Sequence, residues 1–261
     1  MVTSVGMDGR LSGEHILVTG GAKGIGASIV EKCLAEGARV SFTDVDEVAA
    51  GQLMTAMSGA QGRVVFDKGD VRSAGDIARV HAAAIKELGP VTGLVNNAGR
   101  NSYADPVTMT EGEWDDVFSV DLKSAWLCCR AVLPSMLAAR KGSIVNIASV
   151  HADHTYPGMF PYAAAKSGLV GLTRSLALEV GPSQIRVNAL SPGYTETPLV
   201  KEYFAKRDPA LRAQVISVHP MGRLATPMEI ANCVAFLLSN EASFVTGANW
   251  RADDGLGARF A

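Results

Sequence analysis

Tyr162 and Lys166 stand four residues apart in the run YAAAK, and Ser149 lies thirteen residues upstream of the tyrosine. Residues at i and i+4 share one face of a helix, so a phenol and an ammonium there can be aimed at one spot. A free tyrosine ionises near about pH 10, and a neighbouring cation favours its phenolate. Such a phenol can take the proton of an alcohol while hydride leaves the adjacent carbon. A serine hydroxyl beside it can hydrogen-bond the substrate oxygen as charge develops there. Tyr156 is a rival phenol, but Phe160 rather than a cation follows it by four. YxxxK is equally the surface of an ordinary alanine-rich helix, so the reading depends on what positions these residues.

Short apolar runs alternate with longer helical patterns along the chain. His15–Gly20, Arg39–Asp44, Arg63–Asp67, Gly93–Gly99, Gly142–Ser149, Arg186–Gly193 and Asn249–Asp253 read as strands. Ile25–Glu36, Val48–Met57, Ala74–Leu88, Glu113–Ala139, Tyr162–Val180 and Pro227–Leu238 read as helices. Strands alternating with helices predict a parallel sheet covered on both faces, and runs that are apolar throughout suit strands buried on both sides. In such sheets ligands bind beyond the carboxyl ends of the strands. Ser149 ends the fifth strand and Tyr162 opens the next helix, which brings both to that crevice. Residues 195–221 break the rhythm with Pro198, Pro209 and Pro220, and read as a substrate lid within a single domain spanning 1–261.

TGGAKGIG follows the first strand and opens the first helix. Gly20, Gly24 and Gly26 let the backbone turn sharply and approach a phosphate, and the helix start offers free N–H groups to it. Lys23 and Ile25 belong to the same loop. Asp44 closes the second strand, where an acid accepts hydrogen bonds from an adenosine ribose; its alternative role is to cap the following helix, which Asp46 can do equally well. A carboxylate there repels a 2′-phosphate and favours NAD, whereas Lys23 argues for NADP; the carboxylate acts directly on the group in question. Asp70 and Val71 could meet the adenine. Asn97, Ala98 and Gly99, in NNAG, suit a backbone lying against the cofactor, or asparagines that tie strands together.

The balance of the chain excludes other classes. Of 261 residues, 24 are basic and 26 acidic, with no basic block, which argues against nucleic acid as a partner. No apolar run reaches the roughly 20 residues of a membrane span, and the N-terminus lacks the pattern of a secretion signal. The four cysteines form no CxxC pair and the five histidines no metal-ligand spacing, so a reducing cytoplasm and no metal are expected.

TGGAKGIG, NNAG, Ser149, YAAAK and SPG, in this order, resemble the short-chain dehydrogenase/reductases from about Leu11 to Gly255. The resemblance implies an α/β fold, a Rossmann-type doubly wound sheet of seven parallel strands, and a nicotinamide cofactor. It implies Tyr162 as acid/base, Lys166 as its pKa-lowering and ribose-binding partner, and Ser149 as substrate-orienting group. It puts Pro192, Gly193 and Thr195 beside the nicotinamide and Thr197 near the carboxamide or phosphates. It also implies a homotetramer. Two positions depart from the family pattern. Asp121 stands where an asparagine usually completes a tetrad, and an ionised carboxylate there would raise the pKa of Lys166. Asp254 replaces one of a pair of glycines. The loop PGMFPY resembles that of family members acting on L-fucose, L-rhamnose or sugar acids. His151, His154, Met159 and Tyr194 are then substrate contacts, the histidines having solvated loop positions as their alternative. The expectation is an NAD-dependent dehydrogenase of a sugar or sugar-acid alcohol. A 3-oxoacyl-carrier-protein or hydroxysteroid-type reductase is the alternative enzyme, and an NAD(H)-binding protein without turnover the alternative class.

Overall fold

A computed structural model describes residues 9–60 and 62–258; the remaining residues of the expected 1–261 domain, including the eight N-terminal residues read for a signal, lie outside the described residues. The strands are β1 (His15–Thr19), β2 (Arg39–Thr43), β3 (Val64–Phe66), β4 (Gly93–Asn96), β5 (Gly142–Ile147), β6 (Ile185–Pro192) and β7 (Asn249–Ala252). They form one sheet in the order β3-β2-β1-β4-β5-β6-β7, with every neighbouring pair parallel. The order reverses between β1 and β4, and the crevice at that switch point is where a doubly wound sheet takes its ligand.

Nine α-helices are described: α1 (Gly24–Ala35), α2 (Glu47–Ala56), α3 (Ala74–Leu88), α4 (Glu111–Phe118), α5 (Ser124–Ala139), α6 (Tyr162–Val180), α7 (Pro198–Ala205), α8 (Pro209–Ser217) and α9 (Pro227–Leu238). Ile29 and Val30 of α1 pack with Ile230 and Val234 of α9 on one face of the sheet. Val80 of α3 and Leu127 and Val132 of α5 pack on Ile144 and Val187 on the other. Each such fully buried side chain contributes roughly 1.5–3 kcal/mol, so the sheet is held between two apolar layers while its carboxyl edge stays open.

One element differs from its expected form. The single helix expected over Glu113–Ala139 begins earlier, at Glu111, where Thr110 and Glu113 form a reciprocal capping box. It is then interrupted by a π-helical turn, Ser119–Lys123. An inserted residue of this kind rotates the local register, and here it carries Asp121 into the interior, 2 % exposed. Gly168 of α6 permits the close approach, because a Cβ there would lie 2.9 Å from Leu122.

The segment 195–221 carries α7 and α8. Thr195 bridges Ala225, and the Thr197 hydroxyl caps α7 by accepting the Val200 N–H. Asp254 takes a left-handed backbone with φ 58°. Such a conformation favours glycine, which accounts for the family pattern there, and Asp is among the side chains that tolerate it. Its carboxylate accepts the Met221 N–H at 2.9 Å, tying the chain end to the base of this segment.

Candidate active site

The start of α1 differs from that of its neighbours. Asp46, Ser73, Thr110 and Thr226 cap α2, α3, α4 and α9 with their side chains, whereas Lys23 caps α1 without one and no acid follows in the first turn. The first amides of α1 are thus left to an external acceptor. The loop before them needs its glycines: Gly20 and Gly24 have φ of +62° and +54°, and a Cβ on Gly26 would lie 2.0 Å from the Gly20 carbonyl oxygen. Asn97 donates its side-chain amide to that same oxygen at 2.8 Å and to Thr19 O at 3.1 Å. Asn96 spans β4 to β5 by donating to Asn146 at 2.8 Å. Both asparagines therefore tie strands and loops, and Asn97, Ala98 and Gly99 line the cleft.

Asp44 and Asp46 divide the two roles open to Asp44. Asp46 caps α2 and pairs with Lys23. Asp44 accepts one backbone N–H on each oxygen, from Ala22 and from Asp46, both at 3.1 Å. A carboxylate has about four lone-pair sites, so this anchored group can still accept two hydroxyls. At the far end Arg72 holds the Asp70 carboxylate and lowers its pKa; Arg72 also reaches Asp116 at 2.7 Å. Lys23, Asp44, Asp70 and Arg72 line one cleft of about 560 Å³ that runs on to Ser149, Tyr162 and Lys166. Uncapped amides, a glycine turn too tight for any Cβ and a fixed carboxylate at the end of β2 fit a dinucleotide.

At the other end, Lys166 is buried beneath Tyr162. Its Nζ lies 5.6 Å from the centre of the phenol ring, donates to Ile147 O at 3.1 Å, and meets Asp121 Oδ1 at 3.3 Å. Asp121 and Lys166 are 45 positions apart in sequence; the π turn and α6 bring them together. Gly99 closes the third side, since a Cβ there would lie 2.8 Å from Asp121 Oδ1 and 3.1 Å from Lys166 Nζ. Burial raises the pKa of the Asp121 carboxyl, against the lowering pull of the Lys166 ammonium. Its Oδ1 accepts the Arg100 N–H at 3.2 Å, while Oδ2 is buried without a hydrogen-bond partner among the described residues. The carboxylate thus lies directly beside the Lys166 ammonium. Ser149 lies two residues beyond β5, is 7 % exposed, and accepts the His151 N–H at 3.2 Å.

Pro192 ends β6, and Gly193, Tyr194, Thr195 and Thr197 follow it along the cleft, which His151 and Met159 also line. Thr197 packs on the glycine loop: a Cβ on Gly24 would touch its methyl at 3.2 Å. Burial pushes the His151 imidazole down to about 4, so it is neutral at physiological pH. His154 departs from expectation: it is exposed and does not line the cleft, because a one-turn helix over Val150–Ala152 turns it outward. The chain has five tyrosines, and all of them gather here. Tyr156 shares a hydrogen bond with Tyr194, its ring lies 5.0 Å from His151, and His151 lies 6.1 Å from Tyr162. Tyr103 lines the cleft from the opposite side, its backbone bridged to Pro161. Tyr103 is not among the residues expected from sequence; the available signal is an aromatic on the loop just past NNAG, at the carboxyl edge of β4.

Residues 20–257 match the family model described as Enoyl-(Acyl carrier protein) reductase. The chain belongs to the short-chain dehydrogenase/reductase family. It is 38% identical over 255 residues to the 2-(S)-hydroxypropyl-CoM dehydrogenase 3 of Xanthobacter autotrophicus, covering 97% of this chain and 100% of that one. It is 37% identical over 247 residues to a 3-oxoacyl-[acyl-carrier-protein] reductase of Thermotoga maritima, covering 95% and 99%. The crystal structure of levodione reductase superposes with a TM-score of 0.91 at 33% identity, covering 96% and 100%. This short-chain dehydrogenase/reductase is accordingly an oxidoreductase that interconverts alcohol and carbonyl groups with a nicotinamide cofactor. Among the described residues no helix is long and apolar enough to cross a membrane, and no cluster of His, Cys, Asp or Glu could hold a metal.

Proposed function

We propose that this enzyme uses NAD to oxidise a secondary alcohol of a sugar or sugar acid, with Tyr162 as the acid/base. The observation that carries the reading is the stack of Tyr162 on a buried Lys166 that is itself held by Asp121 and Ile147 O. The fixed ammonium favours the phenolate, and Tyr162 takes the hydroxyl proton. Ser149 already accepts the His151 N–H, which leaves its own proton to donate to the substrate oxygen. Bound NAD supplies the hydride acceptor. Gly20, Lys23, Gly24, Ile25 and Gly26 would hold its pyrophosphate, Asp44 the adenosine ribose, and Asp70 and Val71 the adenine. Asn97, Ala98 and Gly99 would flank it, with Pro192, Gly193, Thr195 and Thr197 at the nicotinamide end.

Asp44 supports NAD over NADP because an anchored carboxylate repels a 2′-phosphate, and the ammonium that argued otherwise, Lys23, is already paired with Asp46. A neutral His151 and the hydroxyls of Tyr156 and Tyr194 suit a polyol, with Met159 at the floor and residues 195–221 as the lid. A 3-oxoacyl-carrier-protein reductase is the second reading, favoured by the 37% identity to such an enzyme. A homotetramer is supported by exposed apolar side chains on α5 and α6, Trp126, Leu137 and Leu178, and around β7, Phe244 and Trp250. A reducing cytoplasm suits Cys33, Cys128 and Cys129, buried thiols whose pKa burial raises.

The test is a panel of sugars, sugar acids, steroid alcohols and acyl thioesters with NAD or NADP, followed at 340 nm, beside the Tyr162→Phe variant. Tyr162→Phe is expected to lose at least about a thousandfold in kcat while still binding NADH, as removal of a general acid/base requires. Preserved turnover would overturn the acid/base assignment, and NADH binding by a wild type that turns over no alcohol or carbonyl would point to a non-catalytic role.

A further inference from the structure

The wall of tyrosines ends on an arginine. Arg207, in the turn between α7 and α8, stacks its guanidinium on Tyr203 with Cζ 3.9 Å from the ring centre, and lies 5.7 Å from the ring of Tyr103. The two rings are 5.7 Å apart. From there two paths lead to the proposed acid/base. On one side, the backbone of Tyr103 is bridged to Pro161, the residue before Tyr162. On the other, Tyr203 contacts Phe204, Phe204 stacks with Tyr194, and Tyr194 bonds Tyr156. These rings join the guanidinium to Tyr103 and Tyr194, which line the same cleft as Tyr162; Arg207 itself stands just outside that lining.

Most charged neighbours are engaged elsewhere: Asp208 caps α8 by accepting the Ala210 N–H, while Lys201 makes no ion pair among the described residues. Lys206 pairs with Glu202, Arg212 with Glu196 at 2.7 Å, and Arg100 with Asp116. Arg207 faces rings and makes no ion pair among the described residues. A guanidinium stacked by its face keeps its in-plane N–H groups free, in the fork that matches a carboxylate or sulfonate. The rings also hold it in place, so little side-chain freedom is lost when an anion binds.

We infer that Arg207 binds an anionic group on the end of the substrate remote from the reacting carbon, so that the enzyme selects alcohols bearing a carboxylate or sulfonate. This rests on the dehydrogenase reading and narrows it: of a sugar and a sugar acid, the acid is preferred. The Tyr103 and Tyr194 rings that line the cleft suit either the C–H face of a polyol or an arene, and the anion is common to both.

The experiment compares substrates in matched pairs that differ in the charge alone: an aldonate against its alditol, and 4-(1-hydroxyethyl)benzoate and its sulfonate counterpart against 1-(4-methylphenyl)ethanol. Wild type is expected to favour the anionic member of at least one pair in kcat/KM. Arg207→Gln is expected to raise KM for that member about 10- to 100-fold, the worth of a charge-assisted hydrogen bond, with kcat within about twofold. The neutral member should be unaffected, and Arg207→Lys should restore part of the loss. The same variants are titrated with benzoate and with benzamide by calorimetry in the presence of NADH. No anionic preference in wild type, or an equal loss for neutral and anionic members, overturns the inference. If wild type oxidises no member, the dehydrogenase reading fails by itself, and calorimetry still decides Arg207: benzoate binding lost in the glutamine variant alone supports it, and unchanged or absent benzoate binding refutes it.

Discussion

Replacing Asp121 by asparagine keeps the side chain's size and its acceptor oxygen but removes a buried charge, and the consequence for the pH–rate profile follows from two distances. Asp121 Oδ1 is 3.3 Å from Lys166 Nζ, and that nitrogen is 5.6 Å from the Tyr162 ring centre. Taken end to end they put the carboxylate within about 9 Å of the ring, where two unit charges interact by about 2 kcal/mol at an effective dielectric of about 20. A negative charge at that distance opposes negative charge on the Tyr162 oxygen. Removing it lowers the acid limb of kcat/KM for alcohol oxidation by roughly one pH unit, at about 1.4 kcal/mol per unit. The same substitution withdraws an attraction of about 5 kcal/mol from the Lys166 ammonium, most of which desolvation offsets in the wild type. Burial raises the pKa of Asp121, and its own titration should add to the wild-type profile a component that the asparagine variant lacks. The assay is initial rate at 340 nm across about pH 5 to 11 at constant ionic strength, with saturating NAD. Profiles that overlay within about 0.3 unit would refute the coupling of Asp121 to Tyr162.

Four further outcomes are expected. The raised pKa of Asp121 means that its protonated form suits the fold, so stability attached to it is complete below the ordinary carboxylate range and is lost as pH rises through the shifted value; melting temperatures of Asp121→Asn minus wild type should grow over that rise, and a flat difference would contradict the buried charge. Asp44→Ala should raise the NADP-to-NAD ratio of kcat/KM by about tenfold or more, through loss of about 1.4 kcal/mol or more of repulsion, and a wild type that already prefers NADP would refute the cofactor reading. Gly26→Ala puts a Cβ 2.0 Å from the Gly20 oxygen and should abolish NADH binding by titration, whereas Gly51→Ala, with open space around it inside α2, should stabilise the protein by about 0.5–1 kcal/mol in denaturant melts.

The strands and most helices are legible in the chain because their causes are local. Apolar runs with β-branched residues, glycines at turns and proline or threonine at helix starts act over a few residues, and α3, α6 and α9 accordingly begin and end where their patterns do. The pairing of Tyr162 with Lys166 is equally local, being one turn of α6. The glycine loop is legible because a tight turn against a helix start has few solutions other than glycine. What distant segments do to one another follows from packing and is not written in any short run. The π turn that carries Asp121 onto Lys166 has the helix α6 lying against it at Gly168, so in the sequence only the family resemblance, and no local pattern, related Asp121 to the ammonium. His154 and Tyr156 lie two residues apart on one loop, and only the loop's path sends the histidine to solvent and the tyrosine to Tyr194. Tyr203 and Arg207 are one helical turn apart, but Tyr103 lies a long way from them in sequence, and its meeting with them is decided by how the lid segment packs on the loop after β4. The chemistry of the reacting groups was thus set by neighbours in sequence, and the environment that tunes them and selects the substrate by neighbours in space.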